Sequence, residues 1–338
     1  VVVRSFDAAG YYETRVVLSA LALAVAWWFV EQRQRPVAGA GGLFAASVAN
    51  GLGAKACLIE KTRLGGDCTW FGCMPSKALL KSAQVAHLLK RYAEFGLNIQ
   101  GNFSVDVSKV MPHVRDVVEE IATHHPAEVF EKRGIKVIFG TSTSLSADGK
   151  RSRPIGSPQF IGPQTIEINN QKITAKKFII CTGSHPVILP IEGLSRSRGI
   201  PPFTPVADSA KGEEAAKDIE YLTNENIFSL ENLPESLIVL GGGPIGVELA
   251  QALNRLGVKV YIVEMMERIL FREDREIARV LENRLKDEGV EILAGRKAIR
   301  FSRKGNRVIA TLEDKNKNQE EITAENVLVA VGRAPNIE

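Results

Sequence analysis

The chain has 338 residues, of which 45% are hydrophobic and 24% are charged, and its formal net charge is +4. These proportions are those of an ordinary globular protein that is long enough for two domains with full cores. The small positive charge is spread along the sequence, so composition gives no support for nucleic-acid binding. Four cysteines argue against a secreted disulfide scaffold and fit a reducing compartment.

An uncharged run of fifteen residues, VVLSALALAVAWWFV at 16–30, lies near the start and is followed by arginines. It is shorter than the roughly twenty residues that span a bilayer, although Trp27 and Trp28 suit a membrane interface. Three interpretations compete: the end of a membrane domain, a signal or transit segment, or an artefact joined to the fold. We expect a location on the cytoplasmic face, with attachment to the membrane through 16–30 if the run ends a membrane domain, and an organellar location if it is a targeting segment.

A glycine-rich segment after residue 36 precedes a predicted helix at 44–52 and a predicted strand at 54–60. This order is typical of half of a dinucleotide-binding βαβ unit. Gly39 and Gly42 would face a pyrophosphate, and Glu60 would bind ribose hydroxyls. Val37 takes the position of the first glycine, and RQRP replaces the strand expected before it. The sequence thus predicts a nucleotide site with an altered first strand.

Two cysteines, Cys68 and Cys73, lie in the sequence GGDCTWFGCMPSK at 65–77 and open an apolar predicted helix. A helix N-terminus favours the thiolate, the form that exchanges with disulfides. The alternatives are two core cysteines or half of a zinc site. Zinc ligands usually lie roughly two to four residues apart and need a second pair. Cys57 and Cys181 stand singly in apolar runs, which argues against a four-cysteine metal site, so we favour a redox disulfide and no metal. Cys181 is interpreted as a core residue.

Short elements are predicted between the cysteines and the next glycine turn. They are a helical region at 107–133 broken by Pro112 and Pro126, a strand at 135–139, a surface loop at 140–163, a hairpin at 165–168 and 172–174, a strand at 177–181 that enters the turn at Thr182 and Gly183, and a polar insertion at 195–218.

The clearest nucleotide signal is GGGPIG at 241–246, which stands between a predicted strand at 237–240 and a helix that continues to residue 256. Gly241, Gly243 and Gly246 complete the GxGxxG pattern, and the next predicted strand ends at Glu264. An acidic residue there binds ribose hydroxyls and repels a 2′-phosphate, so NAD(H) is favoured. Arg268 keeps NADP as the alternative. Further strands are predicted at 290–293, 298–302, 307–312 and 327–331.

The cysteine motif, the second glycine turn and GRAPN at 332–336 together resemble the class I pyridine nucleotide–disulfide oxidoreductases, which include lipoamide dehydrogenases, glutathione reductases and mercuric reductases. The Asp-Cys-Thr-Trp form is most similar to the mercuric-reductase-like branch. The resemblance covers about 37–338. It implies an α/β fold of two nested doubly wound, Rossmann-like domains of the FAD/NAD(P)-binding type. It also implies that a C-terminal dimerisation domain, with an acid–base His–Glu pair, is absent from this truncated chain.

The domains implied by the resemblance are an apolar or membrane segment at 1–35, an FAD-binding domain with the redox disulfide at 36–186, an insertion or linker at 187–222, an NAD-binding domain at 223–330 and a return to the FAD domain at 331–338.

The resemblance also assigns roles to residues. Cys73 would be the thiol nearest the flavin and Cys68 the thiol that exchanges with substrate. Lys77 and Glu248 would form an ion pair beside the flavin N5, although both could be ordinary helix charges. The cofactor-binding positions are Gly39, Gly42, Glu60, Lys61, Gly66, Asp67, Lys77, Thr182, Gly183, Gly241, Gly243, Gly246, Glu264 and Gly332.

The implied reaction passes a hydride from NADH through FAD to the Cys68–Cys73 disulfide. A small disulfide, a quinone or Hg(II) would then accept the electrons, and the protein would be a homodimer. One alternative is an NADH:quinone diaphorase that does not use the cysteines. The other is a degenerate or membrane-associated nucleotide-binding protein without turnover.

Overall fold

The computed structural model describes residues 2–4, 41–60, 63–98, 104–124, 126–140, 158–194 and 219–336. These form two compact units. The first unit comprises Val1–Thr69 and Glu120–Gly183, and the second comprises Trp70–Glu119 and Ser184–Glu338. The apolar run at 16–30 and the polar insertion at 195–218 both lie outside the described residues. This division places 70–119 in the second unit, whereas the domains implied by the resemblance place that segment in the first.

The helices are short to medium in length. They are α1 (Gly41–Gly51), α2 (Gly66–Trp70), α3 (Cys73–Lys90), α4 (Val107–Ala122), α5 (Ala127–Lys132), α6 (Pro244–Arg255) and α7 (Arg275–Asp287), with 3-10 turns at Tyr92–Phe95 and Ile227–Ser229.

The described strands are numbered in chain order. They are β1 (Val2–Arg4), β2 (Lys55–Glu60), β3 (Lys136–Phe139), β4 (Gln159–Gly162), β5 (Thr165–Ile168), β6 (Gln171–Thr174), β7 (Lys177–Phe178), β8 (Ser184–Pro186), β9 (Ser236–Leu240), β10 (Lys259–Glu264), β11 (Glu291–Ala294), β12 (Lys297–Lys304), β13 (Arg307–Glu313), β14 (Gln319–Ala324), β15 (Asn326–Val329) and β16 (Arg333–Pro335).

The main sheet of the first unit has the order β3-β2-β1-β7. Strands β2 and β3 run parallel, as in a βαβ unit, whereas β1 is antiparallel to both β2 and β7. Leu43 and Ala46 of α1 pack with Leu58 of β2 and with Phe130 in one apolar core. The predicted helix–strand pair at 44–60 is therefore confirmed. On the side of β2 away from β3, the neighbouring described strand is β1, which comes from the start of the chain rather than from the residues directly before α1.

A second sheet of the first unit has the order β4-β5-β6. Its predicted hairpin is confirmed, and Asn169 and Asn170 turn it with φ of 49° and 59°. The prediction of a loop at 140–163 is wrong at its end, because β4 pairs with β5 there. Phe160 of β4 is exposed, so this edge strand lacks the alternation of buried apolar residues from which a strand can be predicted.

Proline affects the two helices around residue 120 differently. Pro126 precedes α5 as its N-cap, which confirms the predicted break. The predicted break at Pro112 is wrong, because α4 continues through it. Proline removes one helical hydrogen bond, but Met111 and Val114 beside it are fully buried, and their packing holds the helix together.

The main sheet of the second unit is parallel, in the order β11-β10-β9-β15. Every residue of β9 is buried, which is what a central strand covered on both faces requires. Helices α3, α4 and α6 contribute to one core with β9 and β10, through residues such as Leu79, Met111 and Leu253. The predicted strand–turn–helix–strand order at 237–264 is confirmed.

An antiparallel sheet of the second unit has the order β12-β13-β14. The sequence predicted β12 and β13 but not β14, whose residues are mostly polar and exposed. The described residues thus form an α/β fold with Rossmann-like features, as the resemblance implied. Within these residues, no helix is both long and apolar enough to cross a membrane.

Candidate functional site

The glycine turn between β9 and α6 is shaped by contacts of its own backbone. Gly241 has φ of +105°, and a Cβ there would lie 2.5 Å from the Ala330 carbonyl oxygen. A Cβ on Gly246 would lie 2.1 Å from the Gly241 carbonyl oxygen. Among the described residues, no contact lies within 4 Å of a Cβ on Gly243, whose φ is an ordinary −76°. The protein itself requires the first and last glycines, whereas the middle one leaves open space at the N-terminus of α6.

Glu264 lies beside this turn, at the end of β10. Its Oε2 accepts a 2.7 Å hydrogen bond from the Gly242 N–H, and its Oε1 accepts a 2.8 Å bond from the Met266 N–H. The structure thus brings the acidic residue and the glycines together, as a dinucleotide site requires. The ribose-binding role of Glu264 stays a prediction.

Arg268 closes a turn of its own. Its Nη1 donates to the Leu270 carbonyl at 2.9 Å, and its Nη2 donates to the carbonyls of Phe271 and Glu273 at 2.8 and 2.9 Å. The guanidinium also lies 5.5 Å from the centre of the Phe271 ring. Its terminal nitrogens are therefore engaged by the protein, which weakens the case for a 2′-phosphate partner.

The two motif cysteines lie on successive helices. Cys68 is half-buried on α2, and Cys73 is exposed as the first residue of α3. The N-cap of α3 is Gly72, which makes no side-chain cap hydrogen bond. A helix N-terminus favours negative charge, so Cys73 lies where a thiolate is stabilised. Cys68 belongs to the first unit and Cys73 to the second, and their pairing stays a prediction.

The other two cysteines differ from each other. Cys57 is buried in β2, and burial raises the pKa of its thiol, an effect that nearby Lys136 partly offsets. The prediction that Cys181 is a core residue is wrong, because its side chain is exposed. The predicted strand at 177–181 ends at Phe178, so residue 181 no longer belongs to the sheet. Its Sγ lies 3.5 Å from the position of a Cβ on Gly41.

Lys77 and Glu248 are exposed on α3 and α6. Within the described part of the chain, no ion pair joins them. Their predicted role beside a flavin stays a prediction.

The predicted flavin positions in the first unit are only partly described. Gly39 and Lys61 lie outside the described residues, whereas Gly42 is buried at the start of α1 and Glu60 ends β2. The remaining positions are Gly66 with φ of +59°, Asp67 in the first turn of α2, the exposed Thr182, and Gly183 with φ of +74°. Gly332, with φ of +133°, belongs to the second unit.

The turn before α2 fits a flavin nucleotide. Gly65 has φ of +112°, and a Cβ there would lie 2.7 Å from the Thr69 hydroxyl. That side chain is only 2% exposed, and among the described residues its Oγ1 has no hydrogen-bond partner. A buried hydroxyl without a partner is rare in folded proteins. Gly65 is required by the Thr69 side chain that packs against it, and the unsatisfied hydroxyl fits a polar group of a bound cofactor.

A charged cluster that the sequence did not single out lies at the C-terminal ends of α3, α6 and α7. The Glu288 side chain is 4% exposed and accepts hydrogen bonds of 2.7 and 2.8 Å from the Arg255 guanidinium. Arg284 Nε contacts it at 2.8 Å. His87 Nε2 lies 2.9 Å from Arg284 Nη2 and 4.0 Å from Glu288. The cluster borders a cavity of about 370 Å³, away from the glycine turn at the other end of α6.

The fold and these sites define the class of protein: an α/β protein with a GxGxxG nucleotide turn and a cysteine pair at the start of a helix. The pyridine nucleotide-disulphide oxidoreductase family matches residues 38–338, and the chain belongs to it. Members of this family use FAD and NAD(P)H.

Curated relatives agree with this family. The chain is 34% identical over 301 residues to a dihydrolipoyl dehydrogenase of Thermus scotoductus, which covers 89% of this chain and 56% of the relative. It is 29% identical over 301 residues to a mercuric reductase of Bacillus cereus, which covers 88% of this chain and 41% of the relative. The chain therefore spans about half the length of the curated relatives that it matches.

A solved structure is similar as well. It is that of the HOCl-induced flavoprotein disulfide reductase RclA from Escherichia coli, with a TM-score of 0.64 and 25% sequence identity. The superposition covers 88% of this chain and 55% of the other. This agreement supports the fold assignment independently of the sequence motifs.

Proposed function

We propose that the protein is an FAD-dependent NAD(P)H:disulfide oxidoreductase. In the overall reaction, NADH, a proton and a disulfide become NAD⁺ and two thiols. Residues of the first unit would hold FAD, which would supply the two-electron chemistry between NADH and the cysteines. The observation that carries this proposal is the exposed Cys73 thiol at the first residue of α3, five residues after Cys68, in a chain of this family.

The residues of the second unit would bind the nicotinamide nucleotide. The N-terminus of α6 offers free N–H groups, and Gly243 leaves room for a pyrophosphate to approach them. Glu264 would accept hydrogen bonds from ribose hydroxyls, in exchange for those that it accepts from backbone N–H groups. Since Arg268 donates to three carbonyls, we expect NADH to bind more tightly than NADPH.

The residues of the first unit would hold FAD. Beside the left-handed turn at Gly65 and Gly66, Thr69 Oγ1 supplies a hydroxyl that needs a partner. Glu60, at the end of β2, is the proposed ribose ligand. At the start of α3, the dipole would stabilise the Cys73 thiolate when the disulfide is reduced.

The electron acceptor is proposed by class only. A small disulfide or Hg(II) fits the mercuric-reductase-like form of the motif, and a quinone is the third candidate. We propose a homodimer for the intact protein. We also propose attachment to a membrane through 16–30, with an organellar location as the alternative.

Replacing Cys68 with serine tests the proposed function. Cys68→Ser should lower NADH-dependent reduction of a small disulfide at least about a hundredfold, because the thiol that exchanges with substrate is gone. NADH-driven reduction of ferricyanide should stay within about twofold, since that acceptor bypasses the cysteines. Cys57→Ala, at a buried thiol, is the matched control and should leave both rates within about twofold.

Two outcomes would overturn the proposal. Disulfide reduction that survives Cys68→Ser would instead indicate a diaphorase that does not use the cysteines. A purified protein that retains no flavin would favour the nucleotide-binding protein without turnover.

A further inference from the structure

The peptide just before Cys73 is held by a side chain that is remote in sequence. Asn224 Nδ2 donates a 3.0 Å hydrogen bond to the carbonyl of Phe71, which lies between the two motif cysteines. Asn224 Oδ1 accepts a 2.7 Å bond from Arg333 Nη1. Phe71, Asn224 and Arg333 all belong to the second unit and are half-buried. Asn224 therefore connects the segment 68–73, which carries the two motif cysteines, to the strand β16.

Arg333 fixes the orientation of this amide. Its Nε donates to Ser184 Oγ at 2.8 Å, and its Nη2 donates to the Ser184 carbonyl at 2.6 Å. A guanidinium has donors only, so it must face the amide oxygen of Asn224. The amide nitrogen then points to the Phe71 carbonyl. Both bonds of Asn224 follow from a single orientation.

The backbone that carries Asn224 is also fixed. Thr223 N–H donates to Asn226 Oδ1 at 2.7 Å, and Ile227 N–H donates to the Thr223 carbonyl at 3.0 Å. The turn leads into Ile227 and Phe228, which are buried in the core of the second unit. Asn224 is thus a rigid support rather than a surface side chain.

The segment that it holds has a flexible residue at its centre. Gly72 stands between Phe71 and Cys73, with φ of −133° and ψ of −112° and no side chain to restrain it. The first helical hydrogen bond of α3 runs from Ser76 N–H to the Gly72 carbonyl, at 3.0 Å. Only the Phe71 carbonyl, one peptide earlier, receives the Asn224 bond. That bond therefore limits rotation where the chain enters the helix.

We propose that Asn224 is a positioning residue for the cysteine pair: with Arg333 behind it, it holds the peptide before Cys73 in the arrangement that disulfide closure needs. This inference rests on the proposed function, in which Cys68 and Cys73 form the redox disulfide. Disulfide geometry is narrow, so freedom at Gly72 lowers the effective concentration of one thiol near the other.

The equilibrium between the thiols and the disulfide tests the proposal without flavin turnover. Two thiols of the protein and one glutathione disulfide give the protein disulfide and two molecules of glutathione. The protein is equilibrated in glutathione buffers of increasing oxidising strength, its thiols are trapped by alkylation, and the disulfide fraction is measured by mass spectrometry. Asn224→Asp keeps the size and the acceptor for Arg333 but replaces the donor that faces Phe71 with an oxygen.

We expect Asn224→Asp to lower the equilibrium constant for disulfide formation about tenfold, which corresponds to about 30 mV in reduction potential. NADH affinity, which depends on the glycine turn, should stay within about twofold. Arg333→Lys loses the planar fork that orients the amide, and it should shift the equilibrium in the same direction. It serves as the second variant if Asn224→Asp does not fold.

Asn254→Asp is the matched control. Asn254 is also half-buried in the second unit, and its Nδ2 donates to the Glu288 carbonyl at 2.8 Å. It loses the same kind of bond, but at the C-terminal end of α6, so the disulfide equilibrium should be unchanged. Equal equilibrium constants for Asn224→Asp and the wild type would overturn the inference, and so would equal losses in the two aspartate variants. A wild type without a Cys68–Cys73 disulfide in any buffer would instead overturn the proposed function.

Discussion

Glu288 shows how a single residue joins three helix ends. Its buried carboxylate contacts Arg255 of α6 and Arg284 of α7, and it lies 4.0 Å from His87 of α3. Burial raises the pKa of Glu288, but the hydrogen bond from Arg255 and the surrounding positive charges outweigh burial, so the net shift is downward. The carboxylate is therefore ionised near neutral pH. Such a pair is costly to break from one side, because the remaining charge stays buried.

His87 gives this cluster a pH dependence. Burial lowers the pKa of His87 from its ordinary 6.5, and the nearby Arg255, Arg284 and Arg91 lower it further, against Glu288. In the unfolded chain the imidazole takes up its proton near pH 6.5, whereas in the folded protein it does so only at lower pH. The contribution of the neutral His87 to the free energy of unfolding is thus fully present above about pH 6.5. It is lost as the pH falls towards the lowered pKa of His87 in the folded protein.

We expect the free energy of unfolding to be smaller at about pH 5.5 than at about pH 7.5, and His87→Gln to reduce this difference. Urea unfolding at the two pH values measures it. Because the pKa of Glu288 is lowered from its ordinary 4.5, the stability that Glu288 contributes is lost only below about pH 4.5, outside the range from about pH 5.5 to about pH 7.5. His113→Gln, at an exposed histidine of α4, is the control. A His87→Gln variant with the full wild-type pH dependence would contradict the assignment.

At the residue scale, the sequence showed which residues belong to the motifs, but it did not show how buried a residue is or which side chains it contacts. The spacing of Cys68, Cys73 and the glycines was sufficient to single them out. Cys181 was misjudged because its apolar neighbours Ile179 and Ile180 are themselves exposed. Asn224 could not be found, because its two partners lie 153 and 109 residues away in sequence and carry no local signal.

The glycine turn illustrates the element scale, because its glycines are needed for different reasons. Gly246 allows α6 to approach the turn, where a Cβ would lie 2.1 Å from a backbone oxygen. Among the described residues no atom lies within 4 Å of a Cβ on Gly243, so the protein itself does not require a glycine there, and we propose that a bound pyrophosphate does. Replacing Gly246 should therefore lower mainly the free energy of unfolding, whereas replacing Gly243 should lower mainly the affinity for NADH.

We expect Gly243→Ala to keep the free energy of unfolding within about 0.5 kcal/mol while weakening NADH binding at least about tenfold. Gly246→Ala should cost about 3 kcal/mol or more in stability, because backbone must move to admit the methyl group. Urea unfolding and NADH titration calorimetry measure the two effects. Unchanged NADH affinity in Gly243→Ala would show that the open space is not the pyrophosphate site.

At the element scale, buried strands were predictable and exposed ones were not. The run at 237–240 announces β9 because every residue of that strand is buried. Strands β4 and β14 escaped prediction because their residues are mostly exposed and are held by pairing with a neighbour. Pro112 was expected to end a helix, but packing of buried neighbours outweighs the loss of one hydrogen bond.

At the scale of the whole molecule, the described residues form two compact units, and each carries part of the predicted chemistry. The second unit holds the nucleotide turn and Cys73, whereas the first holds Cys68 and the residues that fit a flavin. The spacing of the motif that contains Cys68 and Cys73 is specific to one family, so the sequence predicted the redox cysteines and the flavin site together. The arrangement of β1 was not predictable, because a strand of three residues carries too few positions for a pattern.

The proposed function requires that electrons supplied by NADH pass between a flavin and the Cys68–Cys73 pair. Anaerobic titration of the purified protein with NADH, followed by its visible spectrum, measures this exchange. We expect a flavin band that gives way, at partial reduction, to a long-wavelength charge-transfer band from the Cys73 thiolate, and the loss of that band in Cys73→Ser. A colourless protein, or a flavin that bleaches fully without this band, would show that this exchange does not take place.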